Sequence, residues 1–197
     1  MVVIELIPFI LGLFSAERVT ALLLIWMIIE TGILLYYYKD YMLNYPGAEE
    51  SNTLRVAEDY ASNSLTFASL TFAGLTFILA QFFQEDLAFI DSAVFLFTIG
   101  FGLFISSYKL EVFAPTLRIL LSTQQRLFNF GVLFIVSGLA IFFSEISTQL
   151  MIPITALAAV IIILHLAEFV DDFQTYSVEV DRLNEETKQC TLNDFRP

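Results

Sequence analysis

The sequence predicts an all-α, polytopic helical membrane protein, and two observations carry the prediction. Five stretches, 19–38, 64–83, 88–108, 127–144 and 150–168, each hold about 20 mostly apolar residues, the length that crosses a bilayer core as helix. Of the 197 residues 57% are hydrophobic and the mean hydropathy is +0.75, so a water-soluble fold of this length has no core large enough to hide five such runs. Membrane lipid is therefore the expected neighbour of most of the surface.

Ahead of the first long span, residues 2–14 are apolar but carry Glu5 and Pro8 and no leading Lys or Arg, which does not fit a secretory signal peptide and predicts that the segment is retained. As helix it would reach only about 20 Å. It therefore re-enters the membrane, lies at the interface, or makes a short sixth crossing. Inside the first long span Glu30 follows an unbroken apolar run and precedes Thr31 and Gly32. A carboxylate at that depth needs a cation, water or several donors, which makes Glu30 the leading candidate for an ion path. A neutral acid bonded to a neighbouring helix is the structural alternative. Tyr36, Tyr37, Tyr38, Tyr41 and Tyr45 cluster at the end of this span, where amphipathic rings anchor at headgroup depth.

The next segment sets Leu54, Ala57 and Ala61 on a stripe beside Glu49, Glu50, Glu58 and Asp59, an amphipathic extension of the second span. Along that span Ser62, Thr66, Ser69, Ala73, Thr76 and Ala80 recur at steps of four and three. A seam of small and hydroxyl side chains suits close helix packing. Alternatively, Thr66, Ser69 and Thr76 line a wet path and replace part of an ion's hydration. The span ends in LAQFFQE at 79–85, and the fourth span ends in the similar LAIFFSE at 139–145. That likeness suggests helical-hairpin repeats, although interfacial Phe followed by a polar helix end is what any such corner favours.

The last span brings His165, Glu168 and Asp172 to one helical face at i, i+3 and i+7, with Asp171 alongside. Nitrogen and oxygen ligands in that pattern could hold a divalent metal or respond to pH; the plainer reading is solvated charge ending a transmembrane helix. Beyond it Phe169, Phe173, Tyr176, Val180 and Leu183 fall at steps of 4, 3, 4 and 3, a seam of about two heptads that predicts contact with another helix, from a neighbouring subunit or the inner loops. The chain thus divides into a transmembrane domain, 1–168, and a cytoplasmic amphipathic helical tail, 169–197.

Charge sets the expected orientation. Lys39 and Arg55 lie in the first loop, Lys109, Arg118 and Arg126 in the third, and Arg182, Lys188 and Arg196 in the tail, while the turns at 84–91 and 145–149 carry no base. The positive-inside rule then places the C-terminus and the loops 39–63 and 109–126 in the cytoplasm of a multi-pass cell-membrane protein. The outer side holds Glu17, Glu85, Asp86, Asp91 and Glu145 against Arg18, an acidic mouth that would concentrate cations or simply form a solvated surface. The formal net charge of -12 argues against nucleic acid as a partner. The single cysteine, Cys190, cannot form an intramolecular disulfide. The zincin, nucleophile-elbow and phosphate-loop motifs are absent, so no enzyme and no cofactor is expected. The functional expectation is a homo-oligomeric cation channel or transporter; the alternative is a non-transporting scaffold or accessory subunit that binds partners through its cytoplasmic helices.

Overall fold

A computed structural model describes residues 16–44, 50–82, 88–113, 118–146 and 148–194. These form five helices: α1 (Ala16–Asn44), α2 (Glu50–Phe82), α3 (Ala88–Leu110), α4 (Arg118–Ile146) and α5 (Thr148–Asp194), with no strand among the described residues. Four stretches, Ala16–Lys39, Leu54–Gln81, Ile90–Leu110 and Ile119–Phe143, are long and apolar enough to cross a membrane. The fifth expected span, 150–168, falls on the first half of α5, where the side chains of residues 150, 151, 152 and 155 lie outside the described set. The short segment 2–14, with Glu5, also lies outside it. α2 ends at Phe82 and α4 at Ile146, so both similar corners fall at helix ends, although residues 83–87 are not described.

The packed centre is the α3–α4 pair, where Leu96 and Phe104 of α3 and Phe130 and Phe134 of α4 are fully enclosed. Two glycines bring these helices together. A Cβ on Gly131 would lie 2.7 Å from the Phe104 ring, and one on Gly100 would lie 2.7 Å from Ile135 and 3.1 Å from the Gly131 carbonyl. In lipid, where apolar side chains gain little by leaving the solvent, such close approach supplies the dispersion contacts that hold helices together.

α2 joins this pair through its inner stripe: Ala57, Ala61, Ser64, Ala68, Thr71 and Ile78 are all buried. Uncharged hydrogen bonds reinforce the contact. Ser64 Oγ donates to Ser107 Oγ of α3 at 2.9 Å, Ser107 Oγ donates to the Gln124 carbonyl of α4 at 2.9 Å, and Gln124 Nε2 donates to the Ala57 carbonyl at 3.0 Å. The seam expected on this helix, from Ser62 to Ala80, lies on the opposite, exposed side.

α5 runs 47 residues, about 70 Å, without a break at residue 168. The expected heptad seam is occupied by the chain itself: Phe169, Phe173, Tyr176 and Val180 pack against Leu34, Tyr38 and Met42 of α1 and Ile119 of α4. α1 departs from helical geometry at Tyr38, whose hydroxyl donates to the Phe173 carbonyl at 3.2 Å. Tyr38 is thus a packing residue, whereas Tyr36 and Tyr37 remain exposed as anchors would. Large apolar side chains cover the outside as well, among them Leu22 and Ile28 of α1, Leu70 and Phe77 of α2, and Ile163 and Leu164 of α5. An outer surface this apolar fits a multi-pass membrane protein.

Candidate functional site

Glu30 sits on the inward face of α1 and is only 3% exposed. Its Oε1 lies 3.0 Å from His165 Nε2 of α5, and its Oε2 lies 3.8 Å from Arg126 Nε of α4. Both partners are also enclosed, at 6% exposure each. Helix periodicity explains why α4 supplies a polar face here: Ser122, Gln125, Arg126 and Asn129 fall at i, i+3, i+4 and i+7. Arg126 Nη1 donates to the Ser122 carbonyl at 3.0 Å and also to its hydroxyl, which holds the guanidinium in place. Arg126 Nη2 stands 3.9 Å from Asp172 Oδ2, so one guanidinium is shared between two carboxylates, touching neither at hydrogen-bond distance.

The third carboxylate is held differently. Glu168 Oε1 accepts from Gln125 Nε2 at 2.7 Å and from the Tyr60 hydroxyl of α2 at 3.2 Å, while Oε2 accepts from Asn129 Nδ2 at 2.7 Å. Three neutral donors from two helices therefore solvate it, much as water would.

Two aromatic rings close the far side of the imidazole. Trp26 and Phe130 meet His165 edge-on, with centroids 5.2 and 5.1 Å away. Between the charged groups lies a cavity of about 10 Å³, lined by Glu30, Arg126, His165, Glu168 and Asp172 among others, which is room for roughly one water. Three buried polar atoms of the cluster lack a hydrogen-bond partner: Glu30 Oε2, Arg126 Nε and His165 Nδ1. A dry, fully paired salt bridge would leave none of them so.

The residues singled out from the sequence fall into three groups. Glu30, His165, Glu168 and Asp172 come together, but the last three do not converge on one point: His165 faces Glu30, Glu168 faces the amides and Tyr60, and Asp172 faces Arg126. Among the described residues no group of three or more His, Cys, Asp or Glu side chains is arranged to hold a metal. Thr66, Ser69 and Thr76 do not join Glu30. They are exposed on the outer side of α2, and each hydroxyl donates to the carbonyl four residues back, at 2.9 Å in all three. Of the acidic-mouth residues, Glu17 and Asp91 are exposed near the starts of α1 and α3, while Glu85, Asp86 and the Glu145 side chain lie outside the described set.

Sequence reasoning missed Arg126, Gln125, Asn129 and Tyr60. Arg126 stood in the count of loop bases, yet the four-residue polar spacing Ser122/Arg126 and Gln125/Asn129 marks one helix face and was the available signal. Comparison of the chain with protein-family models, curated proteins and solved structures gives no match.

Proposed function

We propose that this chain is a small multi-pass membrane protein that carries cations across the bilayer, with Glu30, Arg126, His165 and Asp172 on the path. The observation that supports this reading is the enclosure of a carboxylate and a guanidinium on two helices long and apolar enough to cross a membrane, with the imidazole of α5 beside them. Ionisable groups are expensive within a bilayer, and where they occur they mark ion pathways and proton relays or pair with one another. On this reading the hydroxyl seam of α2 leaves the path and becomes a packing surface between copies in a homo-oligomer, since small residues let backbones approach. The Lys and Arg distribution supports a cytoplasmic C-terminus, with five crossings, or six if residues 2–14 also cross. The polar cluster then opens toward the cytoplasmic side past Asp172, whose side chain is 22% exposed.

The test is flux in proteoliposomes across a panel of monovalent cations and pH gradients, with Glu30→Gln beside the wild type. Loss of flux in a folded Glu30→Gln variant supports the reading. A wild-type protein that moves no cation under any of these gradients moves the weight to a non-transporting scaffold. One observation favours that second reading: the cavity beside Glu30 holds about one water, so the cluster as it stands is closed to a hydrated ion.

A further inference from the structure

A carboxylate oxygen 3.0 Å from a ring nitrogen requires a hydrogen between them, because two lone pairs at that distance repel. With that hydrogen on Nε2, Glu30 accepts from the ring, and Nδ1 becomes the position at which His165 can gain or lose a proton. Nδ1 is buried and has no hydrogen-bond partner. On the other side of the ring the cluster carries an excess of negative charge: Glu30, Glu168 and Asp172 line the cavity with a single guanidinium, that of Arg126. Added positive charge there reduces an imbalance that a low-dielectric interior tolerates poorly.

The chemistry also selects which cation fits. A metal ion would share a one-water cavity with the Arg126 guanidinium and would have to shed nearly all its hydration. A proton needs no volume, and at Nδ1 it becomes the charge of an imidazolium whose Nε2–H already points at Glu30. We propose that His165 is a proton-binding site, held through Nε2 by Glu30, and that the cation of the functional reading above is the proton. The link to transport rests on that reading; the site does not. A proton taken from water adds to the Nδ1 lone pair, forming one N–H bond, and the ring leaves its neutral state as an ion pair with Glu30. The charged and titratable groups that line the cavity beside the ring are Glu30 from α1, Arg126 from α4, and Glu168 and Asp172 from α5 itself, with Tyr60 of α2 bonded to Glu168.

The chain offers an unusually clean readout, since His165 is its only histidine and Trp26, packed against that ring, its only tryptophan. Full-length protein carrying ¹⁵N-histidine in lipid nanodiscs is titrated while ring-nitrogen signals and Trp26 fluorescence are recorded. The expected result is one protonation transition within the pH range over which the protein stays folded, seen by both probes, with Nδ1 passing from a bare to a protonated nitrogen. Glu30→Gln, which removes the carboxylate held against Nε2, alters that transition. In His165→Gln the fluorescence transition disappears. Ring signals that stay fixed across this range in folded wild-type protein overturn the proposal, and they decide the matter alone if Glu30→Gln does not fold. A titrating ring without flux keeps this site and removes transport; flux with a silent ring keeps transport and removes the site.

Discussion

Two polar regions are buried among these helices, and they are built on opposite principles. The Ser64–Ser107–Gln124 chain joins α2, α3 and α4 with uncharged groups that pair at 2.9 to 3.0 Å, leaving only Gln124 Oε1 without a partner. The Glu30–His165–Arg126 cluster joins α1, α4 and α5 with ionisable groups, spreads one guanidinium over two carboxylates at 3.8 and 3.9 Å, and leaves three buried polar atoms without hydrogen bonds. The first arrangement fits holding helices in register, because neutral bonds in lipid are made once and have no reason to change. The second holds ionisable groups, a water-sized space and a buried ring nitrogen without a partner, the arrangement on which the proposed proton site rests. Buried polarity therefore says little by itself. Whether it is paired and whether it is ionisable separate packing from chemistry.

Substitutions in the two regions should differ in size. The largest loss is expected for Arg126→Leu, which strands Glu30 and Asp172 without their shared cation; breaking a buried ion pair costs about 3 to 5 kcal/mol. Thermal unfolding in detergent would show it as the steepest drop of the series. Glu168→Ala comes next, because Gln125, Asn129 and Tyr60 lose their common half-buried acceptor, and each hydrogen bond of this kind contributes about 0.5 to 1.5 kcal/mol. If Glu168→Ala proved neutral, the amide clamp between α4 and α5 would be incidental. Ser107→Ala in the neutral chain should cost only about 1 kcal/mol, and a double-mutant cycle with Ser64→Ala should return a coupling near 0.6 kcal/mol. The smallest effect belongs to Thr66→Val on the exposed side of α2, within about 0.5 kcal/mol in a monomer. A much larger loss that depends on protein concentration would instead reveal contact between copies through that seam.

The membrane class was legible because it needs only length and apolarity, and four helices meet both conditions. Glu30 was legible for the same reason, as a break in an apolar run. The inward side of α2 was harder to read. That helix carries two stripes at four-and-three spacing, one through Ala57, Ala61, Ser64, Ala68 and Thr71 and one through Ser62, Thr66, Ser69, Ala73 and Thr76. Small and hydroxyl residues populate both, so periodicity finds the faces but cannot choose between them. The choice is made by Ser107 and Gln124, whose helices approach only in three dimensions. Likewise the seam from Phe169 to Val180 packs on a helix, but the end of α1 with Ile119 takes the place expected of a neighbouring subunit or the inner loops, which depends on how α1 and α5 meet; the Leu183 side chain lies outside the described residues. His165, Glu168 and Asp172 share a helical face as the spacing required, while their separate roles come from α1, α2 and α4, which no local pattern on α5 can display.

The comparison between the two polar regions is decided most directly by proton flux in proteoliposomes under an imposed pH gradient, measured for wild type, Glu30→Gln and Ser107→Ala at matched folded amounts. The account predicts flux in the wild type, its loss in Glu30→Gln and its retention in Ser107→Ala. Equal flux in the wild type and Glu30→Gln would contradict it, because the charged cluster would then be no more than a second set of packing bonds.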